Sequence, residues 1–255
     1  MSGHSKWSQI KRQKGVADAK RGQLFTKLGR ELVVSARAGG GDPDGNARLR
    51  MAIARAREAN MPMDTIERAI KRGAGAADGP ALEEITYEGY GPGGVALLVE
   101  AMTDNRNRTV AEVRNVLTRG GGSLGESGCV AWLFDNRGVI VVHGDADTLE
   151  STALEAIDAG AEDFAITDDT LEIYSTPSDL EAVRAALIER GMDIESADLA
   201  MIPKSTIALE PKEAISTLRM MERLEDLDDV QRVYSNIEMS DALLTEFEAS
   251  ASSTH

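Results

Sequence analysis

Residues 73–80, Gly-Ala-Gly-Ala-Ala-Asp-Gly-Pro, divide the chain into two stretches that cannot share a fold class. Upstream, apolar residues recur at helical spacing; downstream, short β-prone runs alternate with helical ones. The charge changes sign at the same place. Residues 1–75 carry 16 Lys+Arg against 7 Asp+Glu, a net +9, and the rest of the chain carries −24. The overall −15 conceals this split. A basic part can meet phosphates, whereas the acidic part would be repelled by them and should face away or meet another partner.

The upstream stretch reads as three helices. Asp18 to Ala38 has no proline and ends in Gly39-Gly40-Gly41, a C-terminal stop. Asp44 is the expected cap of a second helix, which runs to about Asn60 before Pro62 ends it. A third, from about Asp64 to Arg72, is expected to end at Gly73.

Downstream, Ile85–Tyr87 and Val95–Met102 read as strands around the glycine-rich turn Gly89–Gly94. That segment lacks a P-loop ending and is read as a hairpin turn. Thr109–Arg119 is helical, with Thr109 and Glu112 at capping-box spacing, and Cys129–Phe134 is expected to be a third strand. From Gly138 the order becomes β-α-β-β-α-β, the ferredoxin-like split unit. A strand (Thr206–Leu209), a helix (Pro211–Leu224) and a strand (Val230–Met239) follow. The expected fold class is α+β with three domains. A helical domain spans 1–75, and a discontinuous α+β sandwich is made of 81–137 plus 204–240. A ferredoxin-like domain, 138–203, is inserted in the middle one. Residues 241–255 are expected to form a polar, flexible tail.

On a helical wheel Lys20, Lys27, Arg30 and Arg37 fall between roughly 260° and 360°, and Leu24, Phe25, Leu28, Leu32 and Ala36 between roughly 40° and 160°. One face packs and the other presents cations. Arg21 falls on the apolar side, and Glu31 borders the basic stripe. Lys6, Lys11, Arg12 and Lys14 precede the helix, with Trp7 among them, either to stack on a base or to fill the core. Arg106 and Arg108 in Thr103–Thr109 (TDNRNRT) form either an anion site at a helix N-terminus or an exposed loop with two arginines. These eleven residues, Trp7 and the ten cations, are the candidate nucleic-acid contacts, through which phosphate neutralisation supplies sequence-independent affinity.

Other chemistry is sparse. His4, His143 and His255 have no ligand spacing, so no metal is expected. Cys129, the sole cysteine, excludes an internal disulfide framework and a multi-thiolate site. No GxSxG, HExxH or Rossmann fingerprint is present, so neither catalytic residues nor a cofactor is expected. Residues 1–30 have no apolar h-region, and no run approaches a membrane span. The expectation is a cytoplasmic protein with no membrane and no obligatory small molecule.

Five motifs carry a resemblance across nearly the whole chain. Gly3–Trp7 (GHSKW), Lys11–Lys20 (KRQKGVADAK), Tyr87–Gly94 (YEGYGPGG), Thr103–Thr109 and Gly121–Phe134 (GGSLGESGCVAWLF) stand in the order they have in the YebC family, which this chain resembles. The resemblance implies three domains, the last inserted into the middle one. It implies a DNA-binding transcriptional regulator, or a translation factor. Related proteins include the mitochondrial translational activator of cytochrome c oxidase subunit I and bacterial members linked to relief of ribosomes stalled on proline-rich stretches. It supplies no catalytic residues. The expected partner is nucleic acid, as DNA or as ribosomal RNA on the ribosome. The Ser/Thr-containing tail departs from the family pattern.

Overall fold

The computed structural model describes residues 6–7, 18–75 and 81–252. The chain is α+β, with a helical N-terminal domain and two antiparallel sheets. It divides into two compact units. One comprises Lys14–Val130 and Glu210–Val233; the other comprises Met1–Gln13, Ala131–Leu209 and Tyr234–His255.

In the first unit, α1 (Asp18–Gly39), α2 (Ala47–Glu58) and α3 (Met63–Ala74) form the helical domain. Leu28, Leu32, Ala36, Leu49, Ala52, Ala56, Met61 and Ile66 are its core, as the wheel requires. The cap of α2 is Asn46, not Asp44. Its Oδ1 accepts from Leu49 N at 3.0 Å, while its Nδ2 donates to Ser35 O at 2.8 Å and Gly40 O at 2.9 Å. Only an amide can serve both helix ends at once, because a carboxylate has no donor. Nor does α3 stop at Gly73. A Cβ there would collide with the Val33 carbonyl and the Ala36 side chain. Gly73 is therefore a close-packing point between α1 and α3, and the helix continues to Ala74.

The first sheet contains β1 (Glu83–Tyr90), β2 (Ala96–Thr103), β3 (Ser123–Leu124) and β8 (Val230–Ser235), in the order β3-β1-β2-β8. Tyr90 pairs with Ala96 across the hairpin, whose turn places Gly93 at φ 67° and Gly94 at φ 79°. Two helices accompany it, α4 (Arg106–Arg119) and α7 (Pro211–Glu225). Asn105 caps α4 by accepting from Arg108 N at 3.1 Å, so Thr109 lies inside the helix and is not its cap. Cys129–Phe134 is not a strand. The buried Glu88 carboxylate accepts from Gly128 N at 2.6 Å and Val130 N at 2.7 Å. A side chain thus satisfies the backbone that strand pairing would have used.

In the second unit, β4 (Phe134–His143), α5 (Ala146–Asp158), β5 (Asp163–Thr167), β6 (Thr170–Ser175), α6 (Leu180–Glu189) and β7 (Ile194–Pro203) give the ferredoxin-like sequence of elements. Their sheet order is β5-β6-β4-β7, antiparallel throughout. Ile140, Leu149, Ala153, Leu171, Ile173 and Val183 are fully buried in it. Thr206–Leu209 reduces to a single bridge, Ile207 to Ile237. The expected flexible tail is instead α8 (Asp241–Ser252). Its Leu243 and Phe247, four residues apart, are buried, and Phe247 lies 6.0 Å from the Trp7 ring at a 52° tilt. Two apolar residues at i,i+4 were enough to anchor a segment whose other residues are mostly polar or small.

Candidate nucleic-acid interface

The cationic face of α1 has two fates. Gln23, Lys27 and Arg30, at i, i+4 and i+7, lie on one side of the helix. Gln23 Nε2 donates to Asp226 O at 2.6 Å, Lys27 Nζ to Glu225 O and Arg30 Nη1 to Asp228 O. These carbonyls are the C-terminus of α7 and the turn after it, where the macrodipole favours cations. Lys27 and Arg30 therefore hold α1 to the sheet domain and do not form an open phosphate-binding stripe.

Arg108 is used in the same way. Its Nη2 lies 2.7 Å from Asp229 Oδ2 and 2.8 Å from Asp104 Oδ1. The hydroxyls of Thr109 and Thr103 also donate to Asp229 Oδ2, at 2.6 Å and 3.0 Å. Arg30 Nη1 reaches Asp229 Oδ1 at 2.9 Å. Burial pushes the Asp229 carboxyl up. Hydrogen bonds from Thr109, Arg108 and Thr103 and the Arg30 charge outweigh it and leave the group below the ordinary carboxylate range. The Arg108 guanidinium is raised, first by its hydrogen bond to Asp229. The anion at this helix start is thus one of the protein's own carboxylates.

The remaining candidates are dispersed. Trp7 is buried against Phe247 and fills a core, so its face is closed to a base; Lys6 is buried beside it in sequence. Lys11, Arg12 and Lys14 lie outside the described residues, as does the Lys20 side chain. Arg37 is exposed. Arg106 is exposed as well, 3.6 Å from Glu83 Oε2.

An open groove of about 520 Å³ runs between α1 and α3. Thr26, Gly29 and Arg30 line one wall, and Thr65, Arg68 and Arg72 the other. Leu82 and Asp104 border it, and Phe25 and Val33 add apolar surface. A side chain at Gly29 would meet nothing within 4 Å, which keeps the wall open. Arg68, Lys71 and Arg72 are exposed on α3, opposite the buried Ile66. Among the described residues Arg68 pairs with the equally exposed Asp64, at 3.2 Å, and with Thr65; such a surface pair is weak. These three cations were missed in the sequence. Their i, i+3, i+4 spacing on the face away from Ile66 and Ile70 was the available signal.

Among the described residues, no three His, Cys, Asp or Glu side chains converge as a metal site. No helix among them is long and apolar enough to cross a membrane.

Comparison with known proteins fixes the family. Residues 5–76 match the family described as "TACO1/YebC protein N-terminal domain", and residues 82–237 match "TACO1/YebC second and third domain". The chain belongs to the YebC family. A protein of Moorella thermoacetica is 55% identical over 251 residues, covering 97% of this chain and 100% of the relative. One from Trichlorobacter lovleyi is 57% identical over 242 residues, covering 94% and 97%. Each is named a probable transcriptional regulatory protein. The crystal structure of a conserved hypothetical protein from Aquifex aeolicus superposes with a TM-score of 0.81 at 46% identity, covering 88% of this chain and 93% of that one. The three-domain architecture of this YebC-family chain, a helical domain followed by two α+β domains, is the one the family descriptions specify.

Proposed function

We propose that this chain is a non-enzymatic, nucleic-acid-binding regulator of gene expression acting in the cytoplasm, as a DNA-binding transcriptional regulator. The observation that carries the reading is the α1–α3 groove. Arg68 and Arg72 stand on its wall, with Lys71 beside them on α3, in the part of the chain with a +9 charge. Exposed guanidinium groups on a rigid helix suit phosphate oxygens. The names of the relatives support the regulatory role. Binding should weaken steeply with salt, and a defined promoter fragment should outcompete scrambled duplex by at least about 10³-fold at physiological salt. Equal affinity for both duplexes would remove sequence-specific regulation.

A second reading is a translation factor on ribosomal RNA. The −24 charge outside the basic domain favours it, because so acidic a mass is poorly placed alongside duplex DNA. Gradient sedimentation of lysate separates the two. Co-migration with ribosomes, abolished by Arg68→Glu with Arg72→Glu, assigns the groove to RNA. Migration as a free protein leaves DNA.

A further inference from the structure

The inserted ferredoxin-like domain holds most of the acidity. Residues 138–203 contain sixteen Asp and Glu against two Arg and no Lys, a net −14. No phosphate backbone would approach such a surface. The domain nevertheless has a feature that soluble proteins ordinarily conceal. Strand β5 is at the end of its sheet, paired to β6 on one side only. Natural edge strands are blunted by lysine, proline or a bulge. Asp163-Phe164-Ala165-Ile166-Thr167 has none of these, and its register with β6 is unbroken.

The flank beside this edge is apolar. Phe164 and Ile166 pair with Ile173 and Leu171, so they lie on the helix-bearing side of the sheet, yet they are 38% and 37% exposed. Leu154 and Ile157 on α5, at i and i+3, are 66% and 39% exposed. Helix α5 packs against β5, which brings the four side chains onto one flank of the domain. Glu150 and Asp158, on the same face of α5, and Glu162 and Asp163, at the start of β5, are exposed around them. An apolar centre with a one-signed charged rim marks a docking surface for a partner of opposite charge.

We infer that the outer edge of β5, with Leu154 and Ile157 beside it, accepts an extended basic segment of another polypeptide as an added strand. Backbone hydrogen bonds to β5 would give affinity. Aliphatic residues at alternate positions would meet Phe164 and Ile166, and the intervening lysines or arginines the acidic rim. A second copy of this chain is disfavoured as occupant, because it would set the same carboxylates against one another.

The test uses the full chain and a ten-residue peptide of alternating lysine and valine. The control peptide has the same charge, with prolines replacing alternate valines so that it cannot pair. Amide hydrogen exchange and a binding titration are read together. The inference expects the strand-competent peptide to bind at least about tenfold more tightly than the control. It also expects slowed exchange within residues 163–167, and at least about tenfold weaker binding by Ile166→Lys, whose amide spectrum should otherwise overlay that of the parent. Equal binding of the two peptides would reduce the effect to bulk charge and overturn it. So would Ile166→Lys binding as well as the parent. Protection of 163–167 without peptide, together with a dimer on sedimentation, would give the edge to a second copy and overturn it too.

Discussion

Two sets of cations lie on neighbouring helices of the same small domain and do different work. On α1, Lys27 and Arg30 reach the carbonyls after α7 and the Asp229 carboxylate. On α3, Arg68, Lys71 and Arg72 face outward. In the sequence the α1 stripe was the more conspicuous, because it is longer and sharply opposed to an apolar face. Its prominence reflects two packing faces, one aliphatic and one ionic. A charge stripe reports that a surface is polar; only geometry tells whether the partner belongs to the same chain.

The largest expected effect breaks the α1 set. Asp229→Ala removes the acceptor shared by Arg108, Thr103 and Thr109 and the ion partner of Arg30, and should cost about 3 kcal/mol, read as a lower urea midpoint. Next, Gly73→Ala forces a methyl against the Val33 carbonyl and should cost about 1–3 kcal/mol. That loss would show the α1–α3 packing to be rigid; an unchanged midpoint would mean the helices can separate.

The α3 set should behave in the opposite way. Arg68→Glu with Arg72→Glu should leave the melting temperature within about 2 °C of the parent. It should lower nucleic-acid affinity at least about tenfold. On duplex DNA it should also make the slope of log K against log salt shallower, by about 0.9 for each phosphate the variant no longer neutralises. Full affinity in this variant would move the interface elsewhere.

The smallest effect concerns pH. The folded Asp229 titrates below its unfolded value, so its stabilisation is present above the ordinary carboxylate pKa and is lost as pH falls through the folded value. The stability difference between the parent and Asp229→Asn should be constant near neutrality and shrink below about pH 4. A difference that instead grew on acidification would reverse the sign assigned to this group.

Much of the fold was legible because it rests on periodicity. Leu28, Leu32 and Ala36 declared the packed face of α1, and the turn Gly89–Gly94 declared its hairpin. The ferredoxin-like order followed from alternating strand and helix patterns. The sequence misled wherever one side chain did a job usually given to the backbone or to another residue type. Glu88 replaces a strand partner, Asn46 serves two helix ends, and Gly73 is a packing point and not a stop. The site was less legible, because Asp229 is distant in sequence from Arg30 and Arg108 and nothing local marks it as their common partner. Trp7 was open to either role, and only the burial of Phe247 in α8 settled it.

The joint between α1 and the turn after α7 has a consequence for how such chains can diverge. Gln23, Lys27 and Arg30 grip main-chain oxygens at positions 226, 225 and 228, and every amino acid supplies a main-chain oxygen. The side chains there can drift over evolutionary time without loosening the joint. Position 229, one residue further on, has no such latitude.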